Sequence, residues 1–183
     1  MENYNLFSTP LWMEFVNIDN SKLIKQIHEF QNTHESVSIS NEGGYQSPEF
    51  HCQELLDVVQ QITPRLENKP LSNFSLYSWI NINGKGHHNR RHTHISTNIF
   101  LSGIYYVKVP QNSGRVRFYD PRGALIQSMP DHLYFNSGTE YVFIEPQEGM
   151  IMFFPSWLEH DVEPSKSDED RISIAFNVSC DTE

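Results

Sequence analysis

The chain has 183 residues, of which 38% are hydrophobic and 20% are charged, and its formal net charge is -10 at pH 7. These proportions are typical of one folded, soluble domain and argue against an intrinsically disordered chain. The negative charge repels polyanions, so we expect neither nucleic acid nor an anionic membrane surface as a partner.

The first third of the sequence predicts one strand and two helices. An edge strand is expected over Pro10 to Val16, and Asp19 or Asn20 can cap the helix that follows. A second helix begins near His51 and ends or kinks at Pro64, because proline has no amide hydrogen to donate. The apolar stripes of the two helices comprise Leu23, Ile24, Ile27 and Phe30, and then Leu55, Leu56, Val59 and Ile62. The segment "SNEGGYQSPE" between the helices is predicted to be a loop.

From residue 73 onward the sequence predicts β-structure. Short runs rich in β-branched and aromatic residues are separated by Gly, Pro, Asn and Ser. The runs are "FSLYSWININ", "NIFLSGIYYVKVP", "GRVRFYD", "EYVFIEP", "GMIMFFPS" and "RISIAFNVS". The predicted fold class is therefore mainly β with N-terminal helices, a helix-flanked sandwich or jelly roll in which short strands form two facing sheets.

Histidines are concentrated in "KGHHNRRHTHISTN", and two of them have the spacing of metal ligands. His92 and His94 are two residues apart, so on a strand their imidazoles point to the same face. An HxH pair is a weak signal by itself. It gains weight because His160 follows 66 residues after His94, and Arg171 and Ser173 then open the last predicted strand. This order of residues is more specific than the HxH pair alone and favours a metal site.

Six stretches of the sequence resemble the Fe(II)- and 2-oxoglutarate-dependent oxygenases and, within that superfamily, a group related to prolyl 4-hydroxylases. The stretches are "WINING", "NRRHTH", "LSGIYYVKVP", "FYDPR", "GMIMFFPSWLEHDV" and "RISIAFN". The resemblance covers about residues 72–179 and implies a double-stranded β-helix, the cupin-like form of the jelly roll. We expect a single domain over residues 1–183, in which residues 1–71 form a strand and helices that pack on this core.

The resemblance also implies a role for individual residues. His92 matches the first iron ligand and His160 the distal one. Arg171 matches the residue that binds the C5 carboxylate of 2-oxoglutarate, with Ser173 as its hydroxyl companion and Tyr106 as a further donor. A guanidinium offers a carboxylate two parallel hydrogen bonds, and hydroxyl groups can occupy the remaining lone pairs.

His94 stands where most of this superfamily has Asp or Glu. Two histidines and one carboxylate leave Fe(II) with a net charge of +1, whereas three neutral imidazoles leave +2 and also suit Zn, Ni or Cu. We take His94 as the third ligand. Asp120 is the reserve carboxylate, although "DPR" is also typical of a turn. Glu159 and Asp161 point away from His160 if that segment is extended.

Other polar residues have simpler explanations. Arg171 could form a surface ion pair with the acidic "SDED" segment. A loop at the cavity mouth, containing His87, His88, Arg90 and Arg91, either contacts an acidic substrate or is only solvated, and we favour the second interpretation. Trp79 is expected in the core, and Asn81 as a polar residue of the cofactor pocket. No partner at ligand spacing is evident for His28, His34, His51 and His132.

The predicted function is that of a 2-oxoglutarate-dependent dioxygenase, a hydroxylase with Fe(II), 2-oxoglutarate and O2 as cofactor and cosubstrates. Its substrate is unknown, and the resemblance suggests a protein or peptide side chain. The alternatives are a three-histidine cupin-like metalloenzyme that does not use 2-oxoglutarate, and a non-catalytic metal- or ligand-binding module.

The sequence also bears on the surroundings of the protein. Cys52 and Cys180 have no ligand spacing, which favours a reducing, cytoplasmic location. The N-terminus lacks the pattern of a signal peptide, and no segment has 18 apolar residues in a row. The exposed N-terminal strand could pair with a second copy to form a homodimer.

Overall fold

The computed structural model describes residues 8–66, 74–123 and 140–180. In chain order the first elements are β1 (Trp12–Phe15), α1 (Asn20–Thr33), β2 (Asn41–Glu42), β3 (Tyr45–Gln46), α2 (Gln53–Leu66), β4 (Phe74–Asn83) and β5 (His88–His92). The remaining strands are β6 (Ile99–Lys108), β7 (Val116–Tyr119), β8 (Tyr141–Ile144), β9 (Met150–Pro155), β10 (His160–Val162) and β11 (Arg171–Cys180). The predicted class, mainly β with N-terminal helices, is confirmed.

The strands form two antiparallel sheets. The major sheet has six strands in the order β1-β9-β6-β11-β4-β3, and the minor sheet has five in the order β2-β5-β10-β7-β8. The ten residues of β11 pair with those of β4 without a break, from Arg171 opposite Asn83 to Cys180 opposite Phe74. The predicted edge position of the first strand is confirmed, because β9 is the one described strand with which β1 pairs.

Apolar side chains cover the major sheet on both faces. Its outer face packs against the two helices through a cluster that includes Leu23, Ile27, Leu55, Val59, Ile80, Ile174 and Phe176. Its inner face packs against the minor sheet through a second cluster that includes Ile104, Met152, Phe154, Val116 and Phe118. Burial on both faces explains the continuous apolar runs such as "MIMFF", which a half-exposed strand would not carry.

One glycine permits this packing in the centre of the major sheet. A Cβ atom on Gly103 would lie 2.2 Å from Cζ of Phe176 and 2.5 Å from the carbonyl oxygen of Met152. Atoms do not approach so closely, so the Phe176 ring occupies space that any other residue at position 103 would fill.

The helices follow the sequence closely. Asp19 caps α1 by accepting a hydrogen bond from the Lys22 amide at 3.0 Å, as the capping pattern predicts. The second helix does not end at Pro64 but continues to Leu66. Only the last turn lies beyond the proline, so little of the helical hydrogen bonding is affected. No described helix is long and apolar enough to cross a membrane.

All six predicted β runs contain a strand, but two segments predicted as loops also pair. The segment "SNEGGYQSPE" contributes the two-residue strands β2 and β3. His88 to His92 form β5, which lies between β2 and β10, so His88, Arg90 and Arg91 are strand residues and not loop residues. A β-bulge interrupts the pairing of β5 with β10, and it hides the two-residue alternation by which a strand is recognised in sequence.

Candidate metal centre

Three histidines converge on the inner face of the minor sheet. His92 on β5 lies directly opposite His160 on β10, and His94 follows two residues after the strand end. Their ring centroids are 4.4 to 5.1 Å apart, and one ring nitrogen from each lies within 4.8 Å of the others. Among the described residues no other group of three or more His, Cys, Asp or Glu side chains has the arrangement of a metal site. We call these three residues the histidine cluster.

The second ring nitrogen of each histidine has a fixed partner. Each Nδ1 lies within hydrogen-bonding distance of an oxygen that can only accept, so each Nδ1 carries the hydrogen and each Nε2 keeps its lone pair. The pairs are His92 with the Arg90 carbonyl at 2.6 Å, His160 with the Leu158 carbonyl at 2.9 Å, and His94 with Asn177 Oδ1 at 2.6 Å. This is the hydrogen-bonding pattern of metal-binding imidazoles.

The histidine cluster is electrically neutral at pH 7. Burial lowers the pKa of His92 and of His160, and it lowers the pKa of His94 to about 4. The neighbouring imidazoles lower the pKa values of His94 and His160 further. Protonation would place positive charges side by side in a partly buried site, and the neutral form is the one that binds a metal.

The nearby carboxylates are already engaged in other contacts. Asp120 accepts hydrogen bonds from its own turn, from the Arg122 amide at 2.8 Å and from Arg122 Nε at 3.0 Å. Asp161 points to the outer face of the minor sheet, where it pairs with Arg117 and accepts from the Tyr119 hydroxyl at 2.7 Å. Glu159 likewise pairs with an arginine on that outer face. Among the residues that the structure describes, the donors that remain for a metal are three neutral nitrogens, which suit Fe(II), Zn, Ni or Cu.

Arg171 lies in the major sheet, on the opposite wall of the same cavity. It is 2% exposed, and its Nη1 donates to the carbonyls of Ser113 and Gly114 at 3.2 and 3.1 Å. Its Nε is buried without a hydrogen-bond partner, and among the described residues no carboxylate pairs with it. Two of the three acids of the "SDED" segment pair elsewhere, Asp168 with Lys85 and Glu169 with Lys108.

A buried guanidinium with no carboxylate partner among the described residues is a candidate anion site. Burial lowers the pKa of Arg171, but an arginine keeps its charge in a folded protein. A buried charge is costly unless a partner of opposite sign accompanies it. A ligand carboxylate would supply that partner, and it could also accept a hydrogen bond from the N–H group at Nε.

Polar side chains from three neighbouring strands complete this wall. Ser173 on β11 lies opposite Asn81 on β4 and opposite Tyr106 on β6. Tyr106 is 2% exposed, and burial raises its pKa to about 12, so the phenol keeps its hydrogen and can donate it. The Oδ1 atom of Asn81 is buried and has no hydrogen-bond partner among the described residues. We call Tyr106, Arg171 and Ser173 the anion wall.

The histidine cluster and the anion wall face one cavity between the two sheets. The space between the atoms that line the cavity amounts to about 470 Å³, a figure that includes the open solvent at its mouth. All six predicted site residues line it, as does Asn81. Trp79, expected in the core, also forms part of the wall, with its ring centroid 5.5 Å from that of His94.

The other histidines and arginines of the "KGHHNRRHTH" segment do not line the cavity. His87 accepts a hydrogen bond from the Gly84 amide at 3.1 Å. Arg90 forms an ion pair with Glu42, and Arg91 forms one with Glu159 on the outer face of the minor sheet. His132 lies outside the described residues.

The sequence analysis missed Asn177, which holds His94. The signal was present, because Arg171, Ser173, Ala175 and Asn177 alternate along β11 and therefore share one face. What the pattern could not show is that this face continues from the anion wall to the histidine cluster.

Comparisons with known proteins agree with this architecture. A family model described as "Putative 2OG-Fe(II) oxygenase" matches residues 77–177, more than half of the chain. No curated protein matches the sequence. A Pseudomonas putida prolyl-4-hydroxylase superposes with a TM-score of 0.68 at 14% identity, over 97% of this chain and 96% of that chain.

Two further prolyl hydroxylases are similar in structure. One, from Trichoplax adhaerens in complex with a hypoxia inducible factor peptide fragment, gives a TM-score of 0.67 at 15% identity, over 95% of this chain and 85% of that chain. The viral collagen prolyl hydroxylase of Paramecium Bursaria Chlorella virus-1, in its 2OG complex, gives 0.62 at 14% identity, over 93% and 96%. At identities this low, structural similarity bears on the fold alone, and it confirms the predicted double-stranded β-helix.

Proposed function

This chain belongs to the 2OG-Fe(II) oxygenase family whose model matches residues 77–177, and we propose that it is a non-haem dioxygenase that hydroxylates its substrate with Fe(II), 2-oxoglutarate and O2. In this proposal the histidine cluster holds the iron. The anion wall holds the C5 carboxylate of 2-oxoglutarate, whose other end reaches the metal.

The observation that carries the proposal is the buried guanidinium of Arg171. It has no carboxylate partner among the described residues, and its Nε has an unused hydrogen. The lone pairs of three neutral imidazoles lie on the opposite wall of the same cavity. A small dianion with a metal-chelating end and a distal carboxylate satisfies both walls at once.

Each wall has a definite part in this chemistry. Arg171 and the hydroxyls of Ser173 and Tyr106 donate hydrogen bonds that orient the cosubstrate, and apolar side chains such as Phe154 exclude water. When bound, iron and 2-oxoglutarate supply the oxidising power: O2 is consumed, 2-oxoglutarate is converted to succinate and CO2, and one oxygen atom enters a substrate C–H bond.

A spectroscopic titration tests the proposal. Metal-free protein receives Fe(II) and 2-oxoglutarate without oxygen, and a visible charge-transfer band is expected when the cosubstrate chelates the iron. Admission of air is then expected to release succinate. If iron binds and no band appears, 2-oxoglutarate does not chelate the metal and the proposal fails.

Substitution of Arg171 tests the distal carboxylate. Arg171→Met removes the charge with little change in length, and we expect 2-oxoglutarate to bind about 100-fold more weakly, because a charged, two-point hydrogen bond is worth about 3 kcal/mol. Arg115→Met is the matched control, since Arg115 lies on the outer face and pairs with Glu163. Equal affinity in the two variants would contradict the assignment of Arg171.

A three-histidine metalloenzyme that does not use 2-oxoglutarate is the second candidate, because His94 replaces the usual carboxylate ligand. That candidate predicts metal binding without a charge-transfer band and an Arg171→Met variant with unchanged activity. A non-catalytic binding module instead predicts the band in the absence of oxygen and no succinate after air is admitted.

The proposed substrate class is a peptide or protein side chain. The similar structures include prolyl hydroxylases, one of them with a bound peptide fragment. Support in this chain comes from two exposed apolar residues beside the histidine cluster, Ile95 at 71% and Trp157 at 43%. The residues that precede them are joined, because the His94 amide donates to the Ser156 carbonyl at 2.8 Å.

A peptide assay tests this class. Proline-containing peptides are incubated with the iron-loaded protein, 2-oxoglutarate and O2, and mass spectrometry detects the gain of one oxygen atom. Trp157→Ala is expected to reduce this gain and to leave the band of the iron–2-oxoglutarate complex unchanged. An unmodified peptide pool, with succinate still released, would exclude the class and leave the chemistry intact.

A further inference from the structure

His94 is held in a different way from the other two members of the histidine cluster. His92 and His160 each donate to the carbonyl of the residue two positions earlier, so their own strands fix their rings. His94 lies beyond the end of β5, and its Nδ1 reaches across the cavity to Asn177 Oδ1 at 2.6 Å. Its orientation therefore depends on a side chain of the opposite sheet.

Asn177 is in turn oriented by a serine. On the major sheet it lies directly opposite Ser102 of β6, which is completely buried. The Ser102 hydroxyl donates to Asn177 Oδ1 at 2.7 Å and makes no other hydrogen bond to a described residue. The same amide oxygen thus accepts from both Ser102 and His94.

We propose that Asn177 is a positioning residue that keeps His94 in the tautomer able to bind a metal, and that Ser102 fixes the orientation of the Asn177 amide. If the amide were turned by 180°, its NH2 group would face Nδ1 of His94. Nδ1 would then have to accept, the ring hydrogen would move to Nε2, and the lone pair needed by the metal would be lost. The turn would also leave the buried Ser102 hydroxyl without an acceptor, which is unfavourable.

The position of Asn177 on β11 gives this contact a second consequence. Asn177 shares one face of the strand with Arg171 and Ser173, and β11 is paired with β4 along its whole length. One rigid strand therefore sets both the anion wall and the third histidine. Because the partner of His94 is an amide and not a carboxylate, it orients the ring without adding a negative charge to the site.

The test measures the tautomer and the metal affinity separately from catalysis. In metal-free, ¹⁵N-labelled protein, long-range ¹H–¹⁵N correlation identifies which nitrogen of His94 carries the hydrogen. Co(II) titration of the same samples gives the affinity for the metal alone. The variants are Asn177→Leu, Asn177→Asp and Ser102→Ala. Ser78→Ala is the control, because Ser78 is also buried and donates to a backbone carbonyl, that of Phe50, on the helix side.

We expect hydrogen on Nδ1 of His94 in the wild type and a mixture of tautomers in Asn177→Leu, with Co(II) affinity lower by about 10- to 100-fold, the usual effect of losing a ligand's hydrogen-bond partner. Asn177→Asp should keep the tautomer and the affinity, and Ser102→Ala should lower the affinity where Ser78→Ala does not. Hydrogen on Nε2 in the wild type would overturn the proposal, as would unchanged affinity in Asn177→Leu.

If Asn177→Leu does not fold, the two serine variants still test the proposal. Equal Co(II) affinities of Ser102→Ala and Ser78→Ala would overturn the role of the Ser102–Asn177 pair. The inference rests on the proposed function only in assuming that the histidine cluster holds a metal. If Co(II) binds and the tautomer responds as expected, a failure to use 2-oxoglutarate would contradict the proposed function alone.

Discussion

The two sheets that form the cavity are built in different ways. Three strands of the major sheet, β4, β6 and β11, are ten residues long and lie beneath a layer of helices. The strands of the minor sheet have two to five residues, and their outer face is not covered by another layer of described residues. The major sheet supplies the anion wall and Asn177, and the minor sheet supplies the histidine cluster. The major sheet, with long strands packed on both faces, thus faces a minor sheet of short strands, and the histidines of the minor sheet depend on neighbouring residues to hold them in place.

Ion pairs and cation–π contacts take the place of a covering layer on the minor sheet. Arg117 on β7 pairs with Asp161 on β10, Arg91 on β5 pairs with Glu159 just before β10, and Arg115 just before β7 pairs with Glu163 just after β10. The Arg91 guanidinium lies 3.7 Å from the centre of the Tyr119 ring, and that of Arg115 lies 3.8 Å from the Phe143 ring. Such contacts are individually weaker than a hydrophobic core, so the two sheets should respond very differently to substitution.

The largest expected effect lies in the major sheet. Phe176 is completely buried, packs against Phe153 at 5.4 Å between ring centroids, and occupies the space that Gly103 leaves free. We expect Phe176→Ala to lower the free energy of unfolding by about 3–5 kcal/mol, because the cavity left behind cannot be refilled. Urea denaturation measures this change. The control is Val142→Ala on β8, where the side chain is 53% exposed and a change within about 0.5 kcal/mol is expected. Similar losses in the two variants would remove the distinction between the sheets.

A smaller effect is expected from the most buried ion pair of the minor sheet. Asp161 is 7% exposed and accepts hydrogen bonds from Arg117 and from the Tyr119 hydroxyl. Asp161→Asn should lower the free energy of unfolding by about 1.5–3 kcal/mol, the worth of hydrogen bonds to a charged group. The control is Glu163→Gln, at the more exposed pair with Arg115, and its free energy of unfolding should fall by less. Thermal unfolding measures both variants. If the two variants are equally stable, burial of the Asp161 pair does not support the minor sheet.

The same difference between the sheets explains what could be predicted from sequence. The long strands were predicted correctly because burial on both faces produces continuous β-rich runs, as in "MIMFFP" and "FSLYSWININ". In β5 only His92 was expected on a strand, and His88, Arg90 and Arg91 were predicted as loop, because "HNRRH" has no apolar alternation and a bulge brings Asn89 and His92, three residues apart, to the same cavity. Its strand character comes from pairing with β2 and β10, which no local pattern records.

The site shows the same limit. The order of His92, His94, His160 and Arg171 was readable, because ligand spacing and residue type are local properties. The sequence could not show that Arg171 lacks a carboxylate partner among the described residues, because the acidic segment beside it in sequence pairs instead with Lys85 and Lys108. The role of Asn177 likewise depends on a contact with a residue 83 positions away.

The smallest expected effect concerns a tyrosine on the helix side of the major sheet. Tyr105 is completely buried, and its hydroxyl donates to Asn20 Oδ1 at 2.7 Å, which ties β6 to the start of α1. Burial raises the pKa of Tyr105 to about 12, from the ordinary value of 10.0 for a phenol in water. The folded state therefore holds this hydrogen more tightly than the unfolded state, and the stability that it contributes is present below pH 10 and is lost as the pH rises toward 12.

Tyr105→Phe should cost about 1 kcal/mol at pH 7, the usual worth of one hydrogen bond. The difference between wild type and variant should then shrink as the pH rises above 10, because only the wild type has this phenol to ionise. Urea denaturation at pH 7 and at pH 10.5 measures both values. A difference that stays constant would mean that ionisation of Tyr105 is not linked to unfolding. A difference near zero at pH 7 would instead mean that apolar packing alone holds β6 against α1, as elsewhere on that face of the major sheet.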